Sequence, residues 1–170
     1  MRIFLLLAPC YLVALGCLGS PAADAPVPSS AADIDSDVEK PQFVFSAPEG
    51  FKWNEDHQLW HNEVMRTSIR LAHDPSASFD NIVDDFESDR MLAANMELVS
   101  KDIRDVAGRP TMLVRGNRLN AKYPQQFCTV AFSTKVGCAQ ITAMYPKSMN
   151  EEMKQQIENA LLAARHEPAT

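Results

Sequence analysis

Five sets of residues in this chain have types and spacing that could do chemistry or recognition. His57 and His61, in "HQLWH", stand four apart. On a helix that spacing puts two imidazoles on one face, as a metal site requires. The surrounding stretch "KWNEDHQLWHNE" has turn-like composition, lacks the glutamate of H-E-x-x-H, and offers only Glu63 as a further ligand. The reading is therefore polar residues around a part-buried Trp60, with no metal. Cys128 and Cys138 fall on adjacent strand candidates. A five-residue connection, Ala131 to Lys135, would set them opposite each other, within reach of a disulfide. A tighter turn at Ser133-Thr134 would slip the register and face them to opposite sides. An oxidising compartment favours the bond, so a Cys128–Cys138 disulfide is expected. Asp80, Asp84 and Glu87 recur on the polar side of a helix candidate and could dock a basic partner. Trp53 and Trp60 either cover one end of the core or form a contact patch, tryptophan being enriched at interaction hot spots.

The fifth set is Cys17, in "ALGCLGS". It closes an apolar run, Ile3 to Leu15, with Arg2 as the only charge before Asp24. This is the pattern of a signal peptide, and it is too short to span a membrane. The run resembles a bacterial lipobox, with Gly16 before the cysteine but Ala14 and Leu15 where that pattern has leucine and a small residue. Lipidation of Cys17 is the leading reading; signal peptidase action near Ala22 or Ala23 is the alternative. Residues 1–16 are thus read as signal peptide. Residues 17–40, rich in Ala, Pro, Ser and Asp, are read as a disordered tether that cannot bury enough apolar surface to fold. Leu18, where an inner-membrane retention aspartate would stand, favours the outer membrane.

Residues 41–166 then form one domain, long enough for a real core. "MRTSIRLAHDP" alternates, with Met65, Thr67, Ile69 and Leu71 on one side: a half-buried strand. "SFDNIVDDFESDRMLA" switches to helical period, Phe79, Ile82, Val83 and Phe86 making the stripe and Ser78 the N-cap. Four strand candidates follow: "MELVSKDIRDVAG", "RPTMLVRGNRL", "QFCTVAF" and "GCAQITAMYP". "SMNEEMKQQIENALLAAR" closes as a helix with a capping box from Ser148 and Glu151. With "FVFSAP" near the start, this predicts an α+β fold: a mainly antiparallel sheet of about six strands packed by two amphipathic helices.

The succession "APEGF", "SIRLAHDP", a helix, "VAGRPTMLVRGNRL", two strands and a closing helix resembles the PsbP/DcrB-like family over nearly all of residues 41–165. Gly108-Arg109-Pro110 stands where such domains open a central strand. The resemblance implies an antiparallel sheet flanked by helices and an adaptor or assembly role, and it supplies no catalytic residue.

The net charge is −6. An acidic domain disfavours nucleic acid and anionic lipid as partners. No G-x-S-x-G, S-x-x-K or Gly-rich phosphate loop is present. The expectation is a non-enzymatic envelope lipoprotein without cofactor that binds a protein partner. An immunity protein against a periplasm-targeted toxin, and a small-ligand or metal-binding envelope protein, are the alternatives.

Overall fold

A computed structural model describes residues 42–167. The element order is β1 (Gln42–Val44), β2 (Lys52–Asn54), β3 (Leu59–Asn62), β4 (Thr67–Asp74), α1 (Phe79–Asp85), α2 (Ser88–Ala93), β5 (Met96–Val106), β6 (Arg109–Arg118), β7 (Gln125–Ser133), β8 (Cys138–Pro146), α3 (Glu151–Leu162) and β9 (Arg165–Glu167). Seven strands form one antiparallel sheet in the order β2-β3-β4-β8-β7-β6-β5, and β1 pairs with β9 in a separate two-stranded ladder. The α+β class holds. The sheet has one strand more than expected, because "KWNEDHQLWHNE" folds as the β2–β3 hairpin while β1 leaves the main sheet.

Strand alternation divides the core into two layers. On one face Ile69, Val130, Phe132, Ile141 and Tyr145 pack under Ile157 and Leu161 of α3. On the other, Met112, Val114, Phe127 and Ala131 pack under Ile82 of α1 and Met91 of α2. Gly116 belongs to this second face, where the Phe127 ring lies directly over it and leaves no room for a Cβ.

The first helix differs from expectation. Ser78 does cap α1, its Oγ accepting from the Asn81 N–H at 3.2 Å. The helix stops at Asp85, and Glu87 is extended (φ −76°, ψ 147°) before α2 begins. At about 100° per residue, one continuous helix would place Arg90 on the apolar stripe and swing Met91 about 120° away from it. The break returns Met91 to the core, where it is buried, and Arg90 reaches back to Asp85 at 2.6 Å. The closing helix is capped two residues later than expected. Asn150, not Ser148, is the N-cap, its Oδ1 accepting from Met153 N–H at 2.8 Å.

Among the described residues no helix is long and apolar enough to cross a membrane.

Candidate interaction surface

The β2–β3 hairpin sets Trp53 and Trp60 side by side. They are direct cross-strand partners, with ring centroids 4.6 Å apart and planes tilted by 60°. Phe45 meets Trp60 edge-on at 4.8 Å. Trp60 packs with Phe45 and Phe51 against the α3-side core. Trp53, stacked on top, stays 46% exposed. The two readings of these tryptophans are thus divided between them: Trp60 covers one end of the core, and Trp53 presents its indole to solvent. A rigid aromatic pair loses little rotamer freedom when a partner closes over it, and such pairs gain beyond their buried area.

The hairpin turn is acidic and exposed at Glu55 and Asp56. Asn54 Oδ1 accepts the His57 N–H at 2.9 Å, and Arg70 Nη2 donates to the His57 carbonyl at 3.2 Å. His57 therefore sits in a turn and His61 in a strand, opposite Lys52. Helical i, i+4 geometry does not apply to them. His61 Nε2 lies 3.7 Å from Glu63. Among the described residues no three of His, Cys, Asp and Glu gather as a metal set.

The acidic stripe does not survive as one surface. Asp80 and Asp84 are exposed on α1. Glu87 lies beyond that helix and forms an ion pair with Lys101 of β5 at 2.5 Å. The same Lys101 Nζ donates to the Val83 carbonyl at 3.1 Å. Bonding to the Lys101 ammonium, with its charge, holds the Glu87 carboxyl below the usual range. Glu87 thus straps the end of α1 to the sheet, and of the three acids only Asp80 and Asp84 are left to face a partner.

The expected disulfide is absent. Ser133 pairs with Cys138, whereas Cys128 pairs with Ala143. The connection is the four residues Thr134–Gly137, farther along the chain than either turn considered from sequence. Thr134 Oγ1 organises it, donating toward the Val136 carbonyl at 2.7 Å, and Gly137 takes a positive φ of 80°. In this register the two thiols point to opposite faces, Cys128 into the α3-side core and Cys138 into the other. Both are free and buried. Burial pushes the Cys128 thiol up to about 12 and raises Cys138 as well. Both shifts disfavour the thiolate, the form in which a cysteine attacks.

One polar tie was missed from sequence. Arg115, mid-strand in β6, grips Glu158 of α3 through two bonds, Nε–Oε2 at 2.9 Å and Nη2–Oε1 at 2.6 Å, and also reaches Ser100 Oγ at 3.4 Å. Such a fork fixes orientation as well as distance. It holds α3 over the row of Ser100, Arg115 and Cys128. Its one sequence signal was an arginine directly after the apolar run Met112, Leu113 and Val114, in phase with Leu113. At the start of α3, Met65, Arg66, Pro146, Met149 and Met153 line a shallow open groove of about 470 Å³. Nothing in it pairs a nucleophile with a base.

A search of protein-family models returns no match to this sequence, and a search of curated proteins returns none either. Solved structures do match. The solution structure of cyanobacterial PsbP (CyanoP) from Synechocystis sp. PCC 6803 superposes with a TM-score of 0.57 at 12% identity, covering 74% of this chain and 86% of that one. The fold is PsbP-like. At that identity the likeness carries architecture alone.

Residues 1–16, read from sequence as a signal peptide, and residues 17–40, read as Cys17 and a tether, lie outside the described residues.

Proposed function

We propose that this is a non-enzymatic protein-binding domain, tethered through Cys17 as a cell-envelope lipoprotein of the DcrB-like type. The observation that carries the reading is Trp53: a large indole left half in solvent at the sheet edge, braced by Trp60 and Phe45. A core does not need it there. A partner that covers it removes apolar area from water at small entropic cost. The exposed acids of the adjoining turn, Glu55 and Asp56, favour a partner with basic residues around an apolar contact.

The test is affinity capture from the protein's own cells with wild type and Trp53→Ala side by side. A specific partner retained by wild type, lost by Trp53→Ala and released by moderate salt supports the reading, provided both proteins melt alike. Capture unaffected by the substitution removes Trp53 from the interface. If the partner is a toxin, the immunity reading replaces the assembly one. For the anchor, Cys17→Ser should release the protein from the detergent phase; a mature N-terminus at Ala23 or Asp24 would exclude lipidation.

A further inference from the structure

At the other edge of the sheet, β5 runs eleven residues with no strand beyond it among the described residues. Its exposed side chains include Val99 at 61% and Ile103 at 50%. The ladder to β6 shifts register between Leu98 and Ser100, so the regular open edge runs from Ser100 to Val106, and an open edge of that kind is a template for another strand. The question is which strand it fits.

The backbone decides which positions can accept one. β5 returns into β6 through the two-residue loop Ala107-Gly108, both at positive φ (54° and 76°), and Val106 and Arg109 close the ladder. In such a hairpin the closing pair exchanges both of its hydrogen bonds, and the alternation repeats at every second residue. Val106, Arg104 and Asp102 therefore bond to β6. The N–H and C=O of Asp105, Ile103 and Lys101 point outward, free to bond a new strand.

For an antiparallel strand from a second copy, odd positions must then meet odd positions, so the two-fold axis passes through a residue. The sequence from 101 to 105 is Lys-Asp-Ile-Arg-Asp. Centring on Lys101, Asp102, Arg104 or Asp105 sets a charge against its own copy. Centring on Ile103 does the opposite. Ile103 meets Ile103, Asp102 meets Arg104 of the second copy, and Lys101 meets Asp105 of the second copy. Like charges directly opposite destabilise a pair and opposite charges stabilise it. Within one chain Asp102 and Arg104 already lie 3.8 Å apart on one face of the strand. The two-fold partner completes a square of alternating charges there. On the other face Lys101, held on one side by Glu87, receives Asp105 from the open side. The α2 layer also fits: Met91 of α2 shares a core cluster with Met96 and Leu98 at the start of β5, and the stretch these meet across the axis is the β5–β6 turn.

We propose that β5 pairs with β5 of a second copy, antiparallel and centred on Ile103, joining two seven-stranded sheets into one. This inference is independent of the Trp53 reading, which concerns the opposite edge.

The test is sedimentation velocity of the full chain carrying Cys17→Ser, so that no lipid contributes, from micromolar to several hundred micromolar. Wild type should dimerise with concentration. Asp102→Arg alone and Arg104→Asp alone should each raise the dissociation constant at least about 10-fold, because every copy then meets its own charge twice. Mixed together, these two variants should associate again. The first carries arginine at both positions of the pair and the second carries aspartate at both, so each cross-strand contact between them is once more between opposite charges. Both positions are exposed, and unchanged circular dichroism and melting of each variant verify the fold. A wild type that stays monomeric throughout, a variant that self-associates as well as wild type, or a mixture that remains monomeric would overturn the proposal.

Discussion

On one face of the sheet a single twelve-residue helix, α3, lies over Ile69, Val130, Phe132 and Ile141, its own Ile157 and Leu161 pressed into them. On the other, helices of seven and six residues cover a patch to which Met91, Met96, Met112 and Met144 contribute. Branched and aromatic side chains have few rotamers and fit one way. Methionine has three rotatable bonds and fills whatever gap it meets. The longer helix is also fastened twice, by the Asn150 cap and by the Arg115–Glu158 fork. The short pair depends on the Ser78 cap and on Lys101, which ties Val83 and Glu87 to β5. Helices of six or seven residues are not stable alone and draw their order from packing. One sheet thus carries a rigid layer and a pliable one, and the pliable layer should open first.

Core truncation should show the contrast most strongly. Leu161→Ala removes a fully buried side chain under the fastened helix and should cost about 3–4 kcal/mol; Met91→Ala, where the short helices can settle into the gap, about 2 kcal/mol. Urea unfolding midpoints at constant slope check both. Equal losses would mean the two layers are equally rigid.

Gly116→Ala tests how far the pliable layer can give. Its Cβ would strike the Phe127 ring and the Glu97 carbonyl. The ring can yield only if the methionines around it move, and the backbone oxygen cannot, so a loss of about 1–3 kcal/mol is expected. A neutral result would show more slack in this layer than its burial implies.

The Lys101 strap gives a pH signature. The Glu87 carboxyl is held below its ordinary range by Lys101. A depressed folded-state value means stabilisation that is present above the ordinary glutamate range and lost as pH falls through the depressed one. Wild type should therefore lose its advantage over Glu87→Gln between about pH 5 and pH 3. Amide exchange of α1 and α2, but not α3, should quicken in the variant. A pH-independent difference would sink the strap.

The smallest effect concerns the cysteines. With Cys128 and Cys138 on opposite faces, reductant should leave the melting temperature of the domain unchanged. A shift on reduction would restore the disulfide and with it a different register.

The sequence by itself determined what depends on neighbours a few residues apart. The alternation from Thr67 to Leu71 marked a strand, the stripe from Phe79 to Phe86 marked a helix, and Ser78 marked its start. The resemblance carried by "VAGRPTMLVRGNRL" pointed to the architecture that cyanobacterial PsbP shares. The tertiary structure decided the rest. Strands of three and four residues, as in β2 and β3, are too short to show a period, so their hairpin read as a turn. The break at Glu87 came from the need to turn Met91 inward, and Glu87 met Lys101 only because β5 returns beneath α1. Arg115 found Glu158 across more than forty residues of chain. The cysteines show the limit most sharply. Their separation in sequence is the same for every possible turn, but the face each occupies depends on the parity of the pairing. That parity was set where Thr134 and Gly137 closed the loop, and a shift of one residue there exchanges inside for outside.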